Sequence, residues 1–513
     1  MNGSVHAPRF RTITHMLLYE VNARVLLGEL SRASGQRIDL GTIPGPVLDR
    51  WAELGFDAIW MMGVWSTGQI GREIARSEQL LLNEYRRALP DLREDDIGSS
   101  PYSIVDYVVP EERGGEEGLA ILRGELAKRG MGLVLDFVPN HTARDARWVR
   151  EHPEFYVSGS ESDLSARPLE FFAAETDTGR RVLAHGRDPI FPPWTDTAQL
   201  NILSPALRQG QIQTLRSIAA RCDGVRCDMA MLLLHDVFLR TWSGAFGHGR
   251  TGPPVGEFWK EVIDAVRRER PEFLFLAEAY WNREWDLQQQ GFDFTYDKVL
   301  IDRLLREGAS ATRDHLRANL EFQRRSIRFL ENHDEQRAAR QFATEEWHCA
   351  AALIASTVPG MALFHEGQLE GWTLKLPVQL LRRTPEQGSD RIRTFYQRML
   401  GCIRHPAFRE GGWQLLELKP AWHDNPTWEN FLAFLWLSDT HGTRLIVVNY
   451  APHSGQCYVI LPEGALPANP MEFKDLLGPA LYIRDRAGLT SRGMYFDLPA
   501  YGCHLFDLKP ARK

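Results

Sequence analysis

The chain has 513 residues, 43% of them hydrophobic and 25% charged, with a formal net charge of −7 and a pI near 6.2. That length exceeds one ordinary core and calls for two or three domains, and the balance is that of a soluble globular protein. The net negative charge and the lack of any cationic block argue against a nucleic-acid partner, and no run approaches 18 apolar residues, so no membrane partner is expected.

In chain order, the strand-like run MLLYEVNARV (16–25) is followed by a helical pattern over 45–54. FDAIWMM (56–62) comes next, then a helical stretch around 72–88. A helix over 116–130, ending on Gly130 as C-cap, leads into LVLDFV (133–138). A helix over 204–222 leads into GVRCDM (224–229). Another, over 257–270 and stopped by Pro271, leads into FLFLAEA (273–279). FDFTYD (292–297), SIRFLENHD (326–334) and MALFHEG (361–367) read as three more strands, and a helix over 390–405 closes the series. Eight β/α units of this kind predict an α/β fold, a (β/α)8 TIM barrel. An open doubly wound sheet fits less well, because no glycine-rich phosphate loop follows the first strand.

Two segments depart from a minimal barrel. Residues 142–203 are proline-rich and irregular, and they read as an insertion after strand three. Beyond about residue 409 the alternation stops, and the runs at 431–438, 443–451, 455–462 and 495–508 predict a C-terminal antiparallel β-sandwich. The expected division is therefore a catalytic barrel over 1–141 and 204–409, an inserted subdomain B over 142–203, and a β-sandwich domain over 410–513.

Six cysteines (222, 227, 349, 402, 457 and 503) show neither a CxxC pair nor a zinc spacing, which fits a reducing compartment. The first 21 residues lack the apolar core of a secretory signal, so a cytoplasmic location is expected.

The chemistry lies where four apolar runs end. LVLDFVPNH stops at His141, GVRCD at Asp228, FLFLAE at Glu278 and SIRFLENHD at Asp334. Barrel enzymes carry their reactive groups at these strand ends. Arg226 precedes Asp228 by two residues, hence points to the same side and can hold it ionised. Three acids so placed suit retaining glycoside hydrolysis, in which one carboxylate attacks the anomeric carbon and another protonates the leaving oxygen.

DFVPNH (136–141), GVRCDMAML (224–232), FLAEAYW (275–281) and FLENHD (329–334) resemble, in order, the four signatures of the α-amylase family of retaining glycoside hydrolases (glycoside hydrolase family 13). Weaker matches are GFDAIWMMGVW (55–65), GSSPYSIVDY (98–107) and AQLN (198–201), and the likeness runs over roughly residues 15–405. The resemblance implies that Asp228 is the nucleophile, Glu278 the general acid/base, and Asp334 a third acid that binds sugar hydroxyls and distorts the ring. It implies further that Arg226 orients the nucleophile, that His141 and His333 contact the sugar at the cleavage point, and that Tyr102 stacks on it. Trp281 reads either as a platform on the leaving-group side or as core. Asp136 and Asn140 read as mainly structural, Trp65 and Trp194 as wall. No cofactor is required for the chemistry; calcium is the metal the resemblance admits, at Asn140.

Met231 and Leu232 stand where many starch-hydrolysing relatives carry Lys and His, which weakens the calcium case and leaves the substrate open. The leading reading is an α-amylase-type hydrolase cleaving α-1,4 bonds of an α-glucan or oligosaccharide. A transglucosylase, α-glucosidase or sugar-isomerising relative would use the same acids. A non-catalytic binding member would have lost acids that are all present here. Glu331 receives no role, and the oligomeric state stays open.

Overall fold

The computed structural model describes residues 15–246 and 256–511, so the reading of the first residues as signal-free lies largely outside the described part. Eight parallel strands close into a barrel: β1 (Leu17–Asn22), β2 (Ala58–Met62), β3 (Gly132–Phe137), β4 (Gly224–Cys227), β5 (Leu274–Ala277), β6 (Phe294–Tyr296), β7 (Ser326–Arg328) and β8 (Met361–His365). Neighbours in sequence are neighbours in the barrel, and β1 pairs with β8 (Leu17 beside Ala362) to seal it. The predicted barrel is the observed one.

The strands are continuous apolar runs because both faces are buried. Leu18, Trp60, Val134, Leu276 and Leu363 fill the barrel interior, whereas Tyr19, Ile59, Leu135 and Phe275 face the surrounding helices. This period of two also aims the acids. Glu20, Asp136 and Glu278 each lie two residues beyond an inward apolar side chain, so they emerge inside the upper rim of the barrel.

Several elements differ in extent from the sequence reading. The first strand ends at Asn22, whose side chain caps a helix over Ala23–Ser34. The stretch around 72–88 is two helices, Gln69–Ser77 and Gln79–Ala88, parted at Glu78, where the backbone is extended. Residues 142–203 are more ordered than an irregular loop. His141–Ala143 pairs with Thr197–Gln199, zipping the ends of the segment together, and Phe171–Thr176 forms a hairpin with Gly179–Ala184. Their side chains share a small core of Phe155, Phe172, Leu183 and Leu200.

The C-terminal region is two antiparallel sheets, one of six strands and one of three. Alternation along Phe431–Ser438 shows how it docks. Phe431, Ala433 and Leu435 enter the sandwich core, while Leu432, Phe434 and Trp436 join the cluster that surrounds the barrel. Trp436 also donates its indole N–H to the Thr357 carbonyl at 2.7 Å. The sequence reading missed four of these strands, at Gly412–Leu415, Leu418–Pro420, Met471–Asp475 and Leu481–Arg484, all short and partly exposed.

Candidate active site

A cleft of about 1050 Å³ opens where the barrel strands end. Tyr102, His141, Asp228, Glu278, Trp281 and Asp334 all line it. Arg226 and His333 are buried in direct contact with these residues.

Arg226 is the organising charge. Its side chain is 1% exposed and lies over the rings of Trp60, Tyr102 and Tyr296, with centroid distances of 5.3, 5.1 and 5.8 Å. Nη1 donates to Asp228 Oδ1 at 2.7 Å, and Nη2 stands 2.8 Å from Glu278 Oε2 without hydrogen-bond alignment. One guanidinium thus spans two carboxyls, while Asp228 Oδ2 accepts from no donor among the described residues.

Glu278 occupies a different environment. Burial raises its carboxyl to about 7, against the pull of Arg226 and with the charges of Asp228 and Asp334 adding to the rise. Oε2 also accepts from the Met229 amide at 2.7 Å, and Oε1 accepts from the Tyr280 hydroxyl at 3.2 Å. The Met229 amide and the charge of Arg226 both face Oε2, so a proton on this carboxyl belongs on Oε1. Met229 reaches its position with φ +43°, a left-handed backbone that costs roughly 1–2 kcal/mol in a non-glycine residue. Beneath them Asp136, buried and 3.8 Å from Arg226, is likewise pushed up to about 7 by burial.

Asp334 stands half-exposed on the opposite wall. Burial opposes its ionisation, but His333, Arg226 and Lys375 outweigh that and hold the carboxyl well below the usual range. His333 lies between two acids, with Nδ1 2.5 Å from Glu20 Oε1 and Nε2 2.9 Å from Asp334 Oδ2. Burial disfavours its charge, yet Asp334 and Glu20 raise it to about 10, so the ring is an imidazolium at neutral pH. Its Nε2 also meets the Tyr102 hydroxyl at 2.7 Å, and the two rings stack at 5.3 Å. Asn332 Oδ1 accepts from the amides of Asp334 and Glu335, both at 2.9 Å, and so shapes the turn that presents Asp334. Glu331 now has a place: it accepts from Arg337 Nη1 and the Ala338 amide, both at 2.6 Å, and anchors the same loop.

His141 is buried, which lowers its affinity for a proton although Asp228 and Asp196 oppose that, and it packs on Trp194 at 5.2 Å. Trp194 is therefore part of the cleft wall, whereas Trp65 is buried and donates to the Asp136 carbonyl at 2.8 Å. Trp281 and Asn282 have consecutive left-handed φ values of +62° and +59°, which turn Trp281 to the cleft edge. Met231 and Leu232 are buried and do not reach the cleft.

Asn140 does not fit a cation. Gln199 Nε2 donates to the Asn140 carbonyl at 2.9 Å, to Asn140 Oδ1 at 3.0 Å and to the Leu200 carbonyl at 3.1 Å, placing an N–H donor among the oxygens a metal would need. Among the described residues no three His, Cys, Asp or Glu side chains converge as a metal site.

Sequence reasoning missed Glu20, Tyr280, Tyr296 and Met229. An acid inside the apolar run LLYEVN was a legible signal for Glu20; the others carry none, because their roles depend on loop and barrel geometry.

A closed parallel barrel that converges acids, a buried guanidinium and an imidazolium on one open cleft has the architecture of a barrel active site built for carboxylate chemistry. Residues 39–179 match the family model "Alpha amylase, catalytic domain". An α-amylase (MalA) of Haloarcula japonica is 23% identical over 361 residues, covering 69% of this chain and 43% of that protein. A 1,4-α-glucan branching enzyme of Salinibacter ruber is 28% identical over 193 residues, covering 37% of this chain and 28% of that one. The chain thus spans less than half the length of these curated relatives. The noncanonic maltogenic α-amylase AmyB of Thermotoga neapolitana shares the fold, with TM-score 0.66 at 18% identity, covering 97% of this chain and 99% of that one. The α-amylase of Geobacillus thermoleovorans, solved with acarbose, gives 0.64 at 18%, with the same coverage. Over residues 39–179 the chain is therefore similar to the catalytic domain of the α-amylase family, and over nearly its whole length it shares the fold of these α-amylases.

Proposed function

We propose that the protein is a retaining α-glycoside hydrolase that cleaves α-1,4-glucosidic bonds of α-glucans or maltooligosaccharides. The observation that carries this reading is the single Arg226 guanidinium spanning Asp228 and Glu278, with Glu278 lifted to about 7. Carboxyls bridged in this way are close together, in keeping with the roughly 5 Å of retaining enzymes rather than the wider gap of inverting ones. The acarbose-bound relative and the maltogenic relative support a glucan as substrate.

In this mechanism Asp228 Oδ2 attacks the anomeric carbon while Glu278 passes its Oε1 proton to the leaving oxygen. The glycosidic C–O bond breaks as the Asp228–sugar bond forms. Glu278, now a carboxylate, takes a proton from water, which attacks the same carbon and frees Asp228. Asp334 and the His333 imidazolium bind ring hydroxyls, and Tyr102 and His141 flank the sugar. Two inversions return the α anomer.

Proton NMR of the first-formed product tests the mechanism: α product is expected, and initial β product would overturn it. Asp228→Asn should lose at least a thousandfold in kcat with its melting temperature retained. Full residual activity would remove Asp228 from the role of nucleophile.

Transfer to a second sugar is a further reading, favoured by the apolar wall that Met229, Tyr280 and Trp281 form beside Glu278. Such a wall disfavours water relative to a stacking sugar ring. The products from maltoheptaose separate the two readings, since chains longer than the substrate arise only by transfer. A reducing compartment is part of the same proposal and fits six unpaired thiols, four of them buried.

A further inference from the structure

Behind one wall of the catalytic cleft lies a second cavity of about 760 Å³, lined by Arg24, Arg37, Arg72 and Arg113. Glu112 is the sole acid among its lining residues; it is exposed and lies 3.8 Å from Arg113. The hydrogen bonds of these arginines go to neutral backbone carbonyls. Arg24 reaches the carbonyls of Ser99 (2.8 Å) and Val378, Arg37 that of Glu111 (2.5 Å), Arg72 that of Ile97 (3.3 Å) and Arg113 that of Trp65 (3.1 Å). No carboxylate among the described residues comes within ion-pair distance of Arg24, Arg37 or Arg72.

A buried guanidinium is costly unless an anion completes it, and of the four arginines Arg24 is the buried one. Arg24 is 7% exposed, and its Nε has no partner; nor has the buried hydroxyl of Ser99 in the same wall. Burial, and then the charge of Arg113, lower the Arg24 guanidinium to about 9. Guanidinium forks match phosphate oxygens, and the volume is that of a small-molecule pocket rather than of a lone ion site. Leu27, Ile38, Pro110 and Leu381 provide an apolar side for a carbon skeleton.

We propose that this cavity binds a small molecule bearing a phosphate group, at a site separate from the catalytic cleft. The two sites share their partition. Gly98 and Ser99 face the cavity while Ser100 and Tyr102 face the cleft, and Leu381 and Val378 divide in the same way. A phosphate drawn onto Arg24 would therefore act on the carbonyls that hold the segment carrying Tyr102.

The test is titration calorimetry on the whole protein with inorganic phosphate and with glucose 6-phosphate, using glucose and sodium chloride at matched ionic strength as controls. Saturable binding of a phosphate-bearing probe, absent with glucose or chloride, is expected. The more exposed pair is chosen for substitution so that the fold survives. The Arg37→Gln, Arg72→Gln double variant should bind about a hundredfold more weakly, at about tenfold per charge-assisted contact, with its melting temperature in chloride unchanged. Tighter binding of the sugar phosphate than of phosphate supports an ester seated on the apolar side, and equal binding supports free phosphate. No saturation with either probe, or undiminished affinity in the double variant, would overturn the proposal.

Discussion

Glu278→Gln probes the environment of the proposed acid directly. A carboxyl lifted from an ordinary 4.5 to about 7 on folding is a group whose ionised form is disfavoured in the fold by about 3 kcal/mol. The sign follows from linkage: a folded-state value raised above the unfolded one contributes stability below about pH 4.5, and that contribution is lost as pH rises through about 7. Glutamine keeps the shape and can still accept from the Met229 amide, but it never ionises. Asp136, raised into the same range, is present in both proteins and cancels in the comparison. Urea unfolding at pH 5 and pH 8 should therefore show the wild type losing about 2–3 kcal/mol relative to the variant across that interval. A difference independent of pH would refute the argument, because Glu278 would then titrate like an exposed carboxylate. The same variant should lose 10²–10⁴-fold in kcat, roughly, on maltooligosaccharides and far less on a glucosyl fluoride, whose leaving group needs no proton.

Other substitutions address the supporting structure. Glu20→Gln removes one of the two carboxylates that keep His333 charged, so KM should begin to rise at a lower pH than in the wild type as the imidazolium is lost with rising pH. A KM–pH profile that matches the wild type would count against that role. Asn332→Ala strips the acceptor from the amides of Asp334 and Glu335, and about 1 kcal/mol per lost cap should appear in kcat/KM as a tenfold or greater fall. Trp436→Ala should cost about 3–5 kcal/mol in urea unfolding, since a buried ring and its bond to Thr357 join the β-sandwich to the barrel. A loss under 1 kcal/mol would mean that this docking contributes little.

The barrel was legible because strands buried on both faces leave uninterrupted apolar runs, and eight such runs spaced by helices have one economical closure. Asp228 and Glu278 were legible for a related reason, since each follows such a run by a step that keeps it on the inner rim, whereas Asp334 is presented by the turn that Asn332 shapes. The hairpin within 142–203 was less legible, because its strands are half-exposed and its small core comes from residues far apart, such as Phe155 and Leu200.

Chain order and side-chain period thus determined which residues point into the barrel mouth. Only the closed tertiary structure decided how they differ. It placed Arg226 between Asp228 and Glu278, Glu20 against His333, and Gln199 around Asn140, contacts that cross 52, 313 and 59 positions of chain in their longest cases. A pKa depends on burial and on charges brought near from other strands, and neither exists until the barrel closes. The arginine-lined cavity is a case of the same kind. Arg24, Arg37, Arg72 and Arg113 belong to four separate stretches of chain, and nothing in their spacing announces that they meet with so little negative charge among them.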